Sequence, residues 1–247
     1  MKKSPKSPIF ILSFLVLSFF HSLLSAQTTL QVVTKNVEKS FAFSETKKVQ
    51  IQAERADVEV STWGRSEIKI MIELTAKHPD RAVAVNDLGN FKYDTETTGG
   101  TLYVRNYVLL TKSAAKPQAN LKARYRLFLP AACALHIQNS FGKVEVEGLD
   151  KEIQLKTEFC SVILQNISGK ITLDAHFGTL QADNLNGKFS LTTDRSDCQL
   201  KNIKGTCRIR ADYGSIDIDT DKTLVKMDVK ANQTNLKYSP TFTAKPQ

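Results

Sequence analysis

The residues whose types and spacing best suit chemistry are cations. Between Glu96 and Glu145 the chain has no acidic residue, while Arg105, Lys112, Lys116, Lys122, Arg124, Arg126 and Lys143 all fall there. Alternate residues of a strand share a face at about 7 Å, so Lys122, Arg124 and Arg126 would form one basic row. With Lys112 and Lys116 nearby, that row suits a polyanion such as an acidic polysaccharide or the phosphate of a lipopolysaccharide. Nucleic acid is not expected for an exported chain. The plainer reading of the row is a solvated edge strand, on which Lys and Arg discourage aggregation.

Other sets of residues recur at one step. Phe141, Phe159, Phe177 and Tyr213 would serve either as a stripe for stacking sugar rings or as core. Their parity with positions 135, 137 and 139 favours the core. Arg195 shares their column, which puts it near a corner with its guanidinium over a neighbouring ring. Glu158, His176, Asp194 and Asp212 form an outward column with Asp197 beside it. Stacked carboxylates suit Ca²⁺, and ordinary solvated charges are the expectation. The cysteines Cys133, Cys160, Cys198 and Cys207 show no CxxC spacing and no neighbouring His, so no zinc site is expected. Cys198 and Cys207 fall in inward columns as small hydrophobes, and a bridge between them stays open. Cys133 and Cys160 fall at turns. No Ser-His-Asp order, HExxH or phosphate loop occurs. No catalytic, cofactor or metal residue is therefore assigned, and a non-enzyme is expected.

The elements that position these residues follow from an internal repeat. Phe141-Gly142, Phe159-Cys160, Phe177-Gly178, Arg195-Ser196 and Tyr213-Gly214 stand 18 residues apart. Apolar columns keep the same step: Leu135, Ile153, Ile171, Phe189, Cys207, Val225; then Ile137, Leu155, Leu173, Leu191, Ile209, Met227. Val144, Val162, Leu180, Cys198 and Ile216 make a third column, and Val146, Leu164, Ala182, Leu200, Ile218 and Leu236 a fourth. Polar columns lie between them, so each unit holds short strands with one buried face. Such units satisfy their backbones by stacking coil on coil. The expectation is an all-β chain, a parallel β-helix or β-solenoid of 18-residue coils. Leu135–Tyr238 makes a little under six coils, about 28 Å tall. Asn166, Asn184 and Asn202 share a corner column and would hydrogen-bond up the stack as a ladder. Apolar positions lie nine apart rather than six, which excludes a hexapeptide helix. The glycine-aspartate signature of a calcium β-roll is missing.

Val49-Gln-Ile51…Val58-Glu-Val60…Trp63 copies the spacing of Leu135-His-Ile137…Val144-Glu-Val146…Leu149, so a first coil is expected at 49–63. It stands 86 residues before its likeness, which is not a multiple of 18. Residues 64–134 should therefore leave the stack and return. Alternation predicts strands at Glu67–Leu74, Gly89–Tyr93, Thr101–Leu110 and Leu121–Leu129, antiparallel and capping the stack.

The first 26 residues read as a secretory signal peptide: Lys2, Lys3 and Lys6, an apolar run Ile9–Phe20, and a small-residue exit at Ser25-Ala26. No second long apolar run follows, so no transmembrane segment is expected after cleavage. The chain then divides into a leader (1–26), an N-terminal β module (27–134), the repeats (135–238) and a tail (239–247). Of the formal net charge of +9, the module carries 16 basic residues against 11 acidic ones. Polyanion affinity would map there.

The leader, the Val-x-Ile…Val-x-Val-x-x-Trp opening, the Tyr125-Arg-Leu-Phe-Leu-Pro130 strand and the Phe141-Gly-Lys-Val-Glu-Val-Glu-Gly-Leu149 coil resemble the bacterial putative-adhesin β-solenoid family over about 40–240. The resemblance implies a right-handed β-helix in the cell envelope, periplasmic, outer-membrane-associated or extracellular, and brings no catalytic residues. The chain departs from it at Lys151, where later coils have Gly, and at Arg195-Ser196. The expected function is adhesin-like binding or scaffolding, with an anionic glycan or envelope component as partner. The alternatives are a polysaccharide lyase or hydrolase of the β-helix type and a purely structural or regulatory envelope protein.

Overall fold

The computed structural model describes residues 29–44, 47–110, 116–220 and 224–240. The expected leader, Lys112 and all of the expected tail beyond position 240 lie outside them. The elements are β1 (Gln31–Ala42), β2 (Lys48–Glu54), β3 (Ala56–Thr62), β4 (Glu67–His78), α1 (Arg81–Asn90), β5 (Phe91–Thr98), β6 (Thr101–Val108), β7 (Asn120–Leu129), β8 (Ala134–Glu147), β9 (Ile153–His176), β10 (Thr179–Thr220) and β11 (Leu224–Pro240). Among the described residues the structure is all-β, a curled open sheet with one small helix. No helix among the described residues is long and apolar enough to cross a membrane.

The pairing follows from alternation. From β8 to β10, strands run parallel and paired residues stand eighteen positions apart: Leu135 beside Ile153, Val144 beside Val162, Leu180 beside Val162, Phe189 beside Ile171. The apolar columns face inward, and Leu135, Ile153, Leu164 and Leu200 are fully buried. Each such side chain contributes about 1.5–3 kcal/mol. The last step lengthens to twenty, with a bulge at Gly205/Thr206. Ile209 therefore pairs with Val229, not Met227, and Ile218 with Tyr238, not Leu236. The columns predicted from the 18-residue step slip by two residues at β11.

At the other end, β2 and β3 pair in parallel with β8, Val49 beside Leu135 and Val58 beside Val144. The boundary at 134/135 thus falls inside a continuous sheet. The returning segment differs from the expected antiparallel cap. β6 pairs in parallel with β2, and β7 in parallel with β3. These two strands add a further layer beyond the first one, with Leu102, Val104, Ala123, Tyr125 and Leu127 buried. Asn106 joins the layers: its amide donates to the Glu54 carbonyl at 2.9 Å and accepts from the Tyr125 hydroxyl at 3.1 Å. Among the described residues, the antiparallel pairs are β5 against β6, β4 against β7 and β1 against β4.

The strand expected at Gly89–Tyr93 begins only at Phe91, because α1 occupies Arg81–Asn90. Its Ala-Val-Ala-Val start carries two β-branched residues, Val83 and Val85, which favour strands. The helix is set instead by Asp80, whose carboxylate accepts the Ala82 N–H at 2.7 Å. Buried Asp87 then accepts the N–H groups of Gln118 and Ala119, each at 2.8 Å, tying the approach to β7 onto the helix.

The corners decide how closely layers approach. Arg55, Phe141, Phe159, Phe177, Arg195, Tyr213 and Gln233 all adopt left-handed backbone, with φ from 47° to 61°. The residues after them alternate between glycine and small: Ala56, Gly142, Cys160, Gly178, Ser196, Gly214, Thr234. A Cβ on Gly142 would lie 2.0 Å from the Ala56 oxygen, and one on Gly178 2.1 Å from that of Cys160. At Cys160, Ser196 and Thr234 the side chain turns back on a carbonyl of the preceding layer. Cys160 Sγ lies 3.4 Å from the Asn139 oxygen, Ser196 Oγ 3.4 Å from that of Ala175, and Thr234 Oγ1 3.3 Å from that of Ala211.

Gly178→Ala should therefore destabilise the fold by about 1–3 kcal/mol, the typical cost of overpacking. Cys160→Ser, which copies Ser196, should melt within a few degrees of wild type. Thermal denaturation of both variants checks this, and equal losses in the two would contradict it.

Candidate functional site

The basic row of β7 does not lie on an edge strand. β7 has β4 on one side and β3 on the other, and β3 supplies the carboxylates that pair with the row. Lys122 Nζ meets Asp57 at 2.6 Å. Arg124 reaches Glu59 through Nε at 3.1 Å and Nη2 at 2.6 Å. The hydrogen bond to Glu59, then its charge, holds the Arg124 guanidinium above its ordinary pKa. Arg126 makes no ion pair among the described residues. Lys116 is exposed in the segment leading to β7, and Lys112 lies outside the described residues. A polyanion meeting this row would compete with Asp57 and Glu59.

The aromatic column is not core. Phe141, Phe159 and Tyr213 are 51%, 46% and 42% exposed. The left-handed residue at each corner breaks the inward–outward alternation and turns its side chain out. The rings of Phe141 and Phe159 stack at 5.0 Å and 3° between planes, and those of Phe159 and Phe177 at 4.9 Å and 13°. Arg195 completes the column, its guanidinium 5.4 Å from the Phe177 ring and 4.9 Å from that of Tyr213. The inner ring faces cover one another, so the column presents mainly edges to solvent and makes a poor platform for sugars.

At the second corner, Asn166, Asn184 and Asn202 have φ of 52° to 55°, a conformation Asn tolerates better than most residues. Asn184 donates to the Asn166 amide oxygen at 2.8 Å. Asn202 instead donates to Asp183 at 2.8 Å, and Asn166 reaches Glu147 at 3.4 Å. In the acidic column, Asp194 pairs with Arg195 at 3.0 Å, Asp212 accepts from Asn232 at 3.2 Å, and His176 turns to Asp174 at 2.8 Å. Among the described residues, no cluster of three or more His, Cys, Asp or Glu could hold a metal.

All four cysteines are free and buried, including Cys198 and Cys207. Burial pushes the thiols of Cys133 and Cys207 up to about 12 and that of Cys198 up to about 11. It raises the Cys160 thiol as well. Protonated and buried thiols are poor nucleophiles.

The concave surface lies where the outward faces of β5, β6, β2 and β8 meet. One cleft of about 370 Å³ is lined by Gln50, Gln52, Asp94, Glu96, Tyr103 and Arg105, among others. A second, about 580 Å³, shares Gln52 and Arg105 and extends to Tyr107, Gln138 and Phe141. Register makes this a grid. Tyr103 stands between Glu96 and Gln50, and Arg105 between Asp94 and Gln52. β8 then adds His136 beside Gln50 and Gln138 beside Gln52. Sequence reasoning missed this surface. Its available signal was the parity of Tyr103 and Tyr107, opposite to that of Leu102 and Val104.

His136, half-buried in this grid, has a buried Nε2 with no hydrogen-bond partner. Burial first, then the charge of Lys48, lowers its pKa, with Glu152 opposing and Lys170 adding to the shift.

Comparison with known proteins places the chain among distant likenesses. No protein-family model matches the sequence, and no curated protein matches it. It is similar in structure to a putative cell adhesion protein from Clostridium sporogenes ATCC 15579, at 10% identity and TM-score 0.38, over 85% of this chain and 100% of that one. It is similar to a putative adhesin from Parabacteroides merdae ATCC 43184, at 12% identity and TM-score 0.38, over 83% and 96% of the two chains. A putative adhesin from Bacteroides fragilis NCTC 9343 matches at 12% identity and TM-score 0.36, over 84% and 97%. Likeness this distant assigns no residue and no ligand.

The lowered pKa of His136 has a sign that can be tested. As pH falls, the unfolded chain takes up the proton first, near the ordinary value of about 6.5. The stability that neutral His136 contributes is thus complete above about pH 7 and is lost as pH falls through 6.5 toward the lower folded value. His136→Gln should flatten the decline of Tm between about pH 7 and 5. Identical pH profiles for variant and wild type would contradict this.

Proposed function

We propose that the chain is an exported, non-catalytic right-handed parallel β-helix, a β-solenoid acting at the cell envelope as an adhesin-like binding scaffold. The observation that carries this reading is the regular register. Parallel pairing at eighteen residues from β8 to β10 assigns positions to columns, inward columns apolar and outward columns free to vary. Right-handed winding is the near-universal hand of parallel crossovers. Export is supported by the leader's lysines, apolar run and small-residue exit. The non-catalytic reading is supported by the uniform unit length of β9 and β10, which leaves no enlarged loop, and by the buried thiols. An anionic envelope glycan would engage Lys116, Lys122, Arg124 and Arg126 by replacing the carboxylates of Asp57 and Glu59.

Fractionation of cells expressing the full chain tests the reading. The protein should leave the cytoplasm and carry a new N-terminus near Gln27, and deletion of 1–26 should retain it inside. A full-length chain with its leader intact in the cytosol would overturn the proposal.

A further inference from the structure

We infer that the face shared by β6, β2 and β8 binds a neutral oligosaccharide. The inference rests on the reading of a binding scaffold but names a site and a ligand class that can fail separately. The amides of Gln50, Gln52 and Gln138 make no hydrogen bond among the described residues, yet register gathers them on one outward face. Neighbouring strands are about 4.8 Å apart and alternate residues about 7 Å, so these amides form a shallow mesh. Each offers donors and an acceptor, which is what adjacent sugar hydroxyls require.

Tyr103 supplies the apolar contact. It is 43% exposed, and its ring has no aromatic or cationic partner among the described residues. The flat face of a phenol suits the C–H face of a pyranose and its hydroxyl suits the wet rim. The Phe141–Phe159 column lacks this property, because its rings cover each other.

Charge decides the ligand class. Arg105 is paired with Asp94 at 2.8 Å and lies 5.5 Å from the Tyr107 ring. Glu96 accepts from Thr98 at 3.0 Å. Asp94 answers Arg105, while Glu96 and, in the second cleft, Glu54 have no ion pair among the described residues; a polyanion is therefore repelled, and the ring and the amides remain the main contacts for a neutral ligand. The two clefts, about 370 and 580 Å³, adjoin through Gln52 and Arg105. Each is of the size range of small-molecule sites, and together they accommodate several sugar units.

Surface plasmon resonance on the immobilised full chain tests this. The neutral probes are hexamers of N-acetylglucosamine, glucose (α- and β-linked) and mannose, and the charged probes are hexagalacturonate and hexalysine. At least one neutral hexamer should bind, with an affinity unchanged between about 0.05 and 0.5 M salt. Tyr103→Ala and Gln52→Ala should each weaken it about tenfold or more, and Tyr103→Phe by less than about threefold. These are exposed side chains, and melting curves matching wild type confirm that the variants fold. Binding of the charged probes alone, binding of no neutral hexamer, or affinity unchanged in Tyr103→Ala would overturn the inference. Export without sugar binding would refute this site alone. Sugar binding by a chain retained in the cytosol would refute the export reading and leave the site standing.

Discussion

The structure depends on one constraint: backbone groups a near-constant interval apart, eighteen residues from β8 to β10 and twenty at β11, must reach each other in parallel. A parallel ladder pairs the backbone groups inside the stack while layers keep nearly the same length; the last layer takes twenty residues and is joined through the bulge at Gly205/Thr206. The corners enforce that length. Left-handed residues turn the chain at Phe141, Phe159 and Phe177, and the next position alternates between glycine and a small residue whose side chain bonds back to the layer before. This alternation has a period of two layers. Glycine admits a carbonyl at van der Waals distance, and Cys160, Ser196 or Thr234 closes onto one.

The ends of the sheet are treated differently. Toward the N-terminal side, β6 and β7 extend the parallel ladder by one layer, and β5, β4 and β1 then cover it with antiparallel pairs. Ion pairing across those pairs, such as Lys69 to Glu38 at 2.6 Å, keeps the outer surface charged, which discourages edge-to-edge pairing. This change from parallel to antiparallel pairing also creates the concave face. The amides of β2 and β8 meet the tyrosines of β6 there and nowhere else along the stack.

The repeating part of this fold was legible because identical environments recur, and the inward columns 135, 137, 144 and 146 could be read directly. The aromatic column was misread for a definable reason. Inward positions are odd before the corner and even after it, and Phe141 sits at the switch, where the left-handed residue suspends alternation. The placement of β6 and β7 was not legible. Their offsets to β2 and β3 occur once, so no column reveals them, and alternation alone does not distinguish parallel from antiparallel neighbours. α1 was hidden by a start with two β-branched valines, Val83 and Val85. The row Lys122, Arg124, Arg126 was visible as charge, while its partners Asp57 and Glu59 lie more than sixty residues away. The cleft was invisible for the same reason, since its residues come from β5, β6, β2 and β8.

The central claim, parallel stacking at eighteen residues from β8 to β10, is tested most directly by spin-label distances. The exposed column Glu147, Gln165, Asp183 and Lys201 accepts labels on introduced cysteines, because the four native thiols are buried. Measured from a label at 147, separations to 165, 183 and 201 should rise by about 4.8 Å at each step. Separations that fail to rise with each eighteen residues, or that jump by tens of ångströms, would contradict the account.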